Sequence, residues 1–139
     1  MLSLDIWRKR LIFWCGAVIV GMTAAGYAFI ADYAQKLFSG FVAFNMFLPL
    51  IISPIMFGIA AWLTAKYCPG AVGSGIPQAI AARIAQSPEE RRYLLGPRII
   101  IGKILFTTLG LLGGASMGRE GPTVQVGAAI LYLGASSAR

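Results

Sequence analysis

The chain contains no histidine and only five acidic residues, Asp5, Asp32, Glu89, Glu90 and Glu120. With no histidine, no nucleophile beside a base, and all acids but Glu120 lying outside the Gly118–Pro122 segment, no catalytic constellation can be assembled, so an enzyme is not expected. Cysteine is equally scarce: Cys15 sits in an apolar run and Cys68 beside Pro69, with no metal-type spacing and nothing that argues for a disulfide. No metal or cofactor is therefore anticipated. Charge of either sign is rare, at 12% of residues against roughly 25% in an average soluble domain. The net charge of +7 does not point to nucleic acid, because the cations flank apolar segments and form no stripe interleaved with aromatic residues.

What the chain does have is apolar sequence, at 58% of its 139 residues. A soluble domain of this composition would have too little polar sequence to cover its core, so a small polytopic membrane protein, or part of a larger one, fits better. Leu11 to Ala31 is an apolar run of 21 residues, and about 20 suffice to cross the hydrocarbon core as a helix. Basic residues precede it, as in a secretory signal peptide, but the run exceeds the ~7–15 residues of such a core. Asp32 and Lys36 are expected to mark the far side. Leu37 to Ala65 is a second run of 29 residues, interrupted by Asn45, Pro49 and Pro54, long enough to cross with tilt or a kink. Pro97 to Met117 is a third long segment carrying a single charge, Lys103.

Two apolar segments are too short to span, Pro77–Ala85 and Thr123–Ala135, and each is entered through a Gly/Pro turn. Between them Gln86–Arg92 is hydrophilic, with Ser87 placed to cap a short helix starting at Pro88. The expected helices cover residues 5–32, 41–66, 75–85, 97–116 and 122–136. The positive-inside rule puts Arg8, Lys9 and Arg10, together with Arg91, Arg92 and Arg98, in the cytoplasm, and with them the N-terminus.

The two turns, Gly73-Ser74-Gly75-Ile76-Pro77 and Gly118-Arg119-Glu120-Gly121-Pro122, share a frame of glycine first, proline fifth and an apolar helix following. Proline in a first helical turn gives up an amide that had no partner inside the helix, and glycine lets the backbone turn sharply. The remaining free amides and about half a positive elementary charge from the peptide dipoles make a helix start an anion site. Short, interrupted apolar segments are also the sequence sign of broken helices at a transporter's binding site. Ser74 either caps its own helix or donates its hydroxyl to an anion. Glu120 either caps its helix, pairs with Arg119, or occupies an anion's place and leaves it when protonated; adjacent residues do not face each other on a regular helix, which weakens the pairing with Arg119. Lys103 either snorkels and satisfies backbone carbonyls or raises the potential that draws anions inward. Gly110, Gly114 and Gly118 recur every four residues and are expected to line one helix face for close packing.

Taken together, the two motifs resemble those of the CLC family of chloride channels and chloride/proton antiporters, and the likeness is firmest from Gly70 to Gly134. The resemblance implies an all-α polytopic membrane protein, the first half of an inverted-repeat fold with broken half-helices, assembled as a homodimer with one pore per subunit. It implies chloride and protons as transported ions in a plasma or bacterial inner membrane, through a voltage- or pH-gated channel or an antiporter. By the same resemblance Ser74, Gly75, Ile76, Arg119, Glu120 and Gly121 bind chloride, Glu120 gates and carries protons, and Lys103 acts electrostatically. Serine at position 74, where some members have proline, implies a preference for chloride over nitrate. Nothing in the chain resembles the family's later selectivity motif or its inner proton-transfer glutamate, so a second half is expected to be needed for a complete pore. The competing reading is a non-transporting membrane scaffold or assembly subunit, with the glycines serving packing and the charges only as caps.

Overall fold

A computed structural model describes residues 2–137, with the side chains of 2–6, 8, 9 and 137 outside the description. Among the described residues all the regular structure is helical: α1 (Leu2–Phe44), α2 (Leu48–Tyr67), a 3-10 turn (Pro69–Ala71), α3 (Ile76–Ile84), α4 (Pro88–Leu95), α5 (Pro97–Leu112) and α6 (Glu120–Ser137). Three stretches are long and apolar enough to cross a membrane, Arg10–Phe44, Leu48–Tyr67 and Pro88–Leu112.

The first break in the chain is not where the charges suggested. α1 continues through Asp32 and Lys36 for 43 residues, because polar side chains alone do not stop a helix and no proline occurs before Pro49. The turn comes at Asn45, whose side-chain oxygen accepts from the Phe47 N–H at 2.9 Å while its carbonyl accepts from the Leu48 N–H at 3.1 Å. Asparagine mimics a backbone turn in this way. The apolar run from Leu37 to Ala65 is therefore divided between the end of α1 and α2. At about 1.5 Å per residue α1 is roughly 64 Å long, well beyond a hydrocarbon core of about 30 Å, so it crosses tilted or projects past the bilayer.

Prolines stand in the first turns of α2, α3, α4 and α5, where the missing N–H costs nothing. α4 is capped as its sequence suggests, with the Glu90 N–H donating to Ser87 Oγ at 3.1 Å. α5 stops four to five residues sooner than expected, at Leu112. Gly114 adopts φ +83°, and the Ala115 N–H reaches the Gly110 carbonyl at 2.9 Å while the Gly114 N–H reaches that of Leu111 at 3.0 Å. This pair of bonds closes a helix around a left-handed glycine. Gly110, Gly114 and Gly118 consequently do not share a helix face: Gly110 lies under the Met117 side chain, Gly114 under the Phe38 ring, and Gly118 has open space beside it.

α6 packs against α1, α3, α4 and α5. Small residues permit this: Ala31 and Ala34 of α1 meet Leu111 of α5, and Ala129 of α6 meets Ala82 of α3 and Leu95 of α4. α2 touches α1 and α5 yet has no buried residue, as suits a helix whose apolar surface faces lipid. α6 runs antiparallel to α1. Its start is tied to Asp32, its middle at Gly127 touches Val20, and Leu131 touches Gly16. Its end shares a groove with Pro88 and Arg91, which brings the Gln86–Arg92 segment to the same end of the bundle as the N-terminal part of α1.

Candidate anion site

The two glycine turns meet. A Cβ built on Gly75 would lie 2.5 Å from the Gly121 carbonyl oxygen and 3.0 Å from Gln125 Cβ, and one built on Gly121 would collide with the Ser74 carbonyl oxygen. Only glycine at both positions allows two backbones to approach this closely. Gly75 and Gly73 also adopt φ +102° and +88°, a region that side-chain-bearing residues rarely enter. Segments 45 residues apart in the chain thus form one backbone-lined junction at the starts of α3 and α6.

Each turn is built locally. Helix α3 begins at Ile76, one residue before Pro77, with Gly75 as its N-cap. The Gln78 side chain folds back so that its oxygen accepts from the Gly75 N–H at 2.9 Å and its amide donates to the Val72 carbonyl. The Gly75 amide, expected to face an anion, is thus already paired within its own turn. Among the described residues the N–H groups of Gly73 and Ser74 have no hydrogen-bond partner. Ser74 is exposed, as is Ile76 beside it.

Helix α6 begins at Glu120, two residues before Pro122. The Arg119 carbonyl accepts from the Thr123 N–H at 3.2 Å and from Thr123 Oγ1 at 2.7 Å, which makes Arg119 the N-cap. Glu120 therefore occupies the first position of the helix, where a negative charge is favoured by the dipole, and it is exposed, while Gly121 is buried against the other turn. Arg119 does not pair with Glu120. Its guanidinium reaches Asp32 of α1 at 2.6 Å, with both side chains about half exposed. A pair this exposed adds little stability, so Asp32→Asn is expected to cost under ~1 kcal/mol, read as a shift of a few degrees at most in thermal unfolding in detergent.

Lys103 is buried, at 3% exposure. Its ammonium donates to the Ala71 carbonyl at 2.8 Å and to that of Gly73. Of the two roles open to it, satisfying backbone carbonyls is the one its contacts fulfil, and the groups it satisfies lead directly into the first turn. Gln125, at 0% exposure, donates to the Gly70 carbonyl at 3.0 Å and to that of Leu94 at 3.2 Å. Sequence reasoning passed over Gln125, Gln78 and the partner of Arg119. The one available signal was Gln125 itself, an amide inside an apolar helix, where a polar group needs a partner. Open grooves of about 790 Å³ and 560 Å³ lie away from the junction, one between α3 and α4 and the other around Cys68–Gly70 with Arg92 and Arg98.

Among the described residues, an all-helical chain with three candidate spans and two abutting helix starts defines a helical membrane protein. The particular family follows from comparison. The family described as voltage gated chloride channel matches residues 56–139, and the chain belongs to it. Chloride channel protein CLC-d of Arabidopsis thaliana is 31% identical over 120 residues, covering 78% of this chain and 13% of that protein. The chain thus spans a small part of the length of that curated relative. No solved structure matches it.

Proposed function

We propose that this chain forms part of a transmembrane chloride pathway, with the Ser74 hydroxyl and the amides at the starts of α3 and α6 binding the anion and Glu120 acting as a protonatable gate. The observation that carries this reading is the contact between Gly75 and Gly121. It joins two helix starts, each with a partial positive charge, and sets them against Ser74 and Glu120, with the Lys103 ammonium held behind the first turn on the Ala71 and Gly73 carbonyls. A partial charge suits conduction, because the ion must be held weakly enough to leave.

The exposure of Ser74, Ile76 and Glu120 fits a site that is half-walled here and completed by a second, inverted half of the fold, as the family resemblance implies. In that architecture α3 and α6 are the broken half-helices, the complete protein is a homodimer, and it works as a channel or as a chloride/proton antiporter. The N-terminus is assigned to the cytoplasm, since the polar Gln86–Arg92 segment with its two arginines lies at the same end of the bundle as the N-terminal part of α1 and cations favour that side.

The test is chloride binding by calorimetry, and flux in proteoliposomes, on the complete protein that carries this chain. A hydrogen bond to an ion is worth about 1.5–3 kcal/mol. Ser74→Pro removes both the hydroxyl and the amide at that position, so chloride binding is expected to weaken ~10-fold or more, with the chloride/nitrate ratio moving toward nitrate. An unchanged ratio would take Ser74 out of the anion site. A scaffold would bind no chloride at all.

A further inference from the structure

The loop that leads into the first turn has four successive peptide carbonyls, and each is held by a side chain. The Gly70 carbonyl accepts from Gln125 Nε2 at 3.0 Å, that of Ala71 from Lys103 Nζ at 2.8 Å, that of Val72 from Gln78 Nε2, and that of Gly73 from Lys103 again. The donors come from α3, α5 and α6, so the loop is fixed by three helices at once. Gln125 reaches further, to the Leu94 carbonyl at 3.2 Å, and so ties the loop to the end of α4.

A peptide is planar and trans, so its C=O and the following N–H point in opposite directions. Drawing the carbonyls toward these donors turns the following amides away from them. Those of Ala71 and Val72 are used within the 3-10 turn, on the Cys68 and Pro69 carbonyls at 2.8 and 3.2 Å. Those of Gly73 and Ser74 have no partner among the described residues. A carbonyl oxygen repels an anion as an amide hydrogen attracts it, so the sign this loop presents depends on which edge of its peptides faces the pathway. Gln125 maintains that arrangement at a cost. Its Oε1 is buried without a partner, which is unfavourable, and its two N–H groups offset that cost by satisfying two carbonyls that would otherwise lack a side-chain donor.

We infer that Gln125 is a positioning residue for anion recognition: with Lys103 and Gln78 it holds the Gly70–Gly73 carbonyls off the pathway, so that the first turn offers donors and no acceptors to the ion. The inference rests on the chloride reading above. It assigns the effect to carbonyl alignment, and Gln125 separates that from net charge because it carries none.

The experiment uses the complete protein that carries this chain and compares it, unaltered, with Gln125→Met, which keeps the length of the side chain and removes its donors, and with Gln78→Met at a half-buried position that tolerates change more readily. Two quantities are read, amide hydrogen exchange across residues 70–76 and chloride affinity by calorimetry. Both variants should exchange faster over 70–76 and bind chloride ~10-fold more weakly, as expected when an ion's donors are misaligned. Should Gln125→Met fail to give monodisperse protein, Gln78→Met carries the comparison. Unchanged exchange overturns the clamp itself. Faster exchange with unchanged affinity overturns the positioning role alone. If the complete protein that carries the unaltered chain binds no chloride, the chloride reading falls and the positioning role with it, while the exchange data still report on the clamp.

Discussion

Glu120→Gln is expected to abolish proton movement, or the pH dependence of chloride movement, when the protein is reconstituted in liposomes with opposing chloride and pH gradients. Glutamine has the shape of a protonated glutamate and can never become an anion. At the first position of α6, next to the N-cap Arg119, the carboxylate sits where the helix dipole favours negative charge, which is also where a chloride ion would be stabilised. On the proposed reading, ion and carboxylate compete for one set of amides. A side chain fixed in the neutral form leaves those amides to chloride and has no proton to deliver. The loss in proton flux should be at least ~10-fold, equivalent to about 1.4 kcal/mol, with chloride movement retained or increased. Proton coupling that survives the substitution would remove Glu120 from the gate and leave it as a helix cap, the alternative its position also allows.

The second large effect is expected at the junction of the two turns. In Gly121→Ala the new methyl would overlap the Ser74 carbonyl oxygen, and in Gly75→Ala it would lie 2.5 Å from the Gly121 carbonyl oxygen in a residue already at φ +102°. Both obstacles are backbone, which cannot swing aside as a flexible side chain can, so the helix starts must separate. Overpacking alone costs about 1–3 kcal/mol, and Gly75→Ala adds strain of ~1–2 kcal/mol for a positive φ. Either variant should lower the thermal midpoint in detergent and lose chloride binding, with Gly75→Ala the more severe. Gly118→Ala is the matched control, since nothing lies within 4 Å of its Cβ, and it should behave like the parent. Equal stability of all three variants would mean that the turns do not touch in solution.

Much of this chain is legible without coordinates. A membrane helix satisfies its own backbone and must be apolar, so composition and run length reveal spans directly, and the three candidate spans overlap the three long apolar segments. Prolines and Ser87 gave the helix starts because their preferences are local. The two turns were visible for the same reason: each is a contiguous run of five residues whose chemistry lies in its own backbone. The departures were also local in origin. The first helix was expected to end at residue 32, yet a helix ends where the backbone is broken, and Asn45 breaks it. The spacing of Gly110, Gly114 and Gly118 suggested a packing face, but Gly114 is a left-handed helix end, which periodicity does not reveal.

Which residue pairs with which was decided only by the tertiary structure. Arg119 finds Asp32, 87 positions earlier in the chain, and not its neighbour Glu120. Lys103 spends its charge on the Ala71 and Gly73 carbonyls, and Gln125 reaches Gly70 across 55 positions. The sequence by itself determined that the chain belongs in a membrane and where it breaks its helices with Gly/Pro turns. Composition and local backbone preference are sufficient causes for all of these. That the two turns form one junction, with carbonyls held back and amides left over, depends on contacts between helices distant in the chain, and only the packing of α6 against α1, α3, α4 and α5 brings those together.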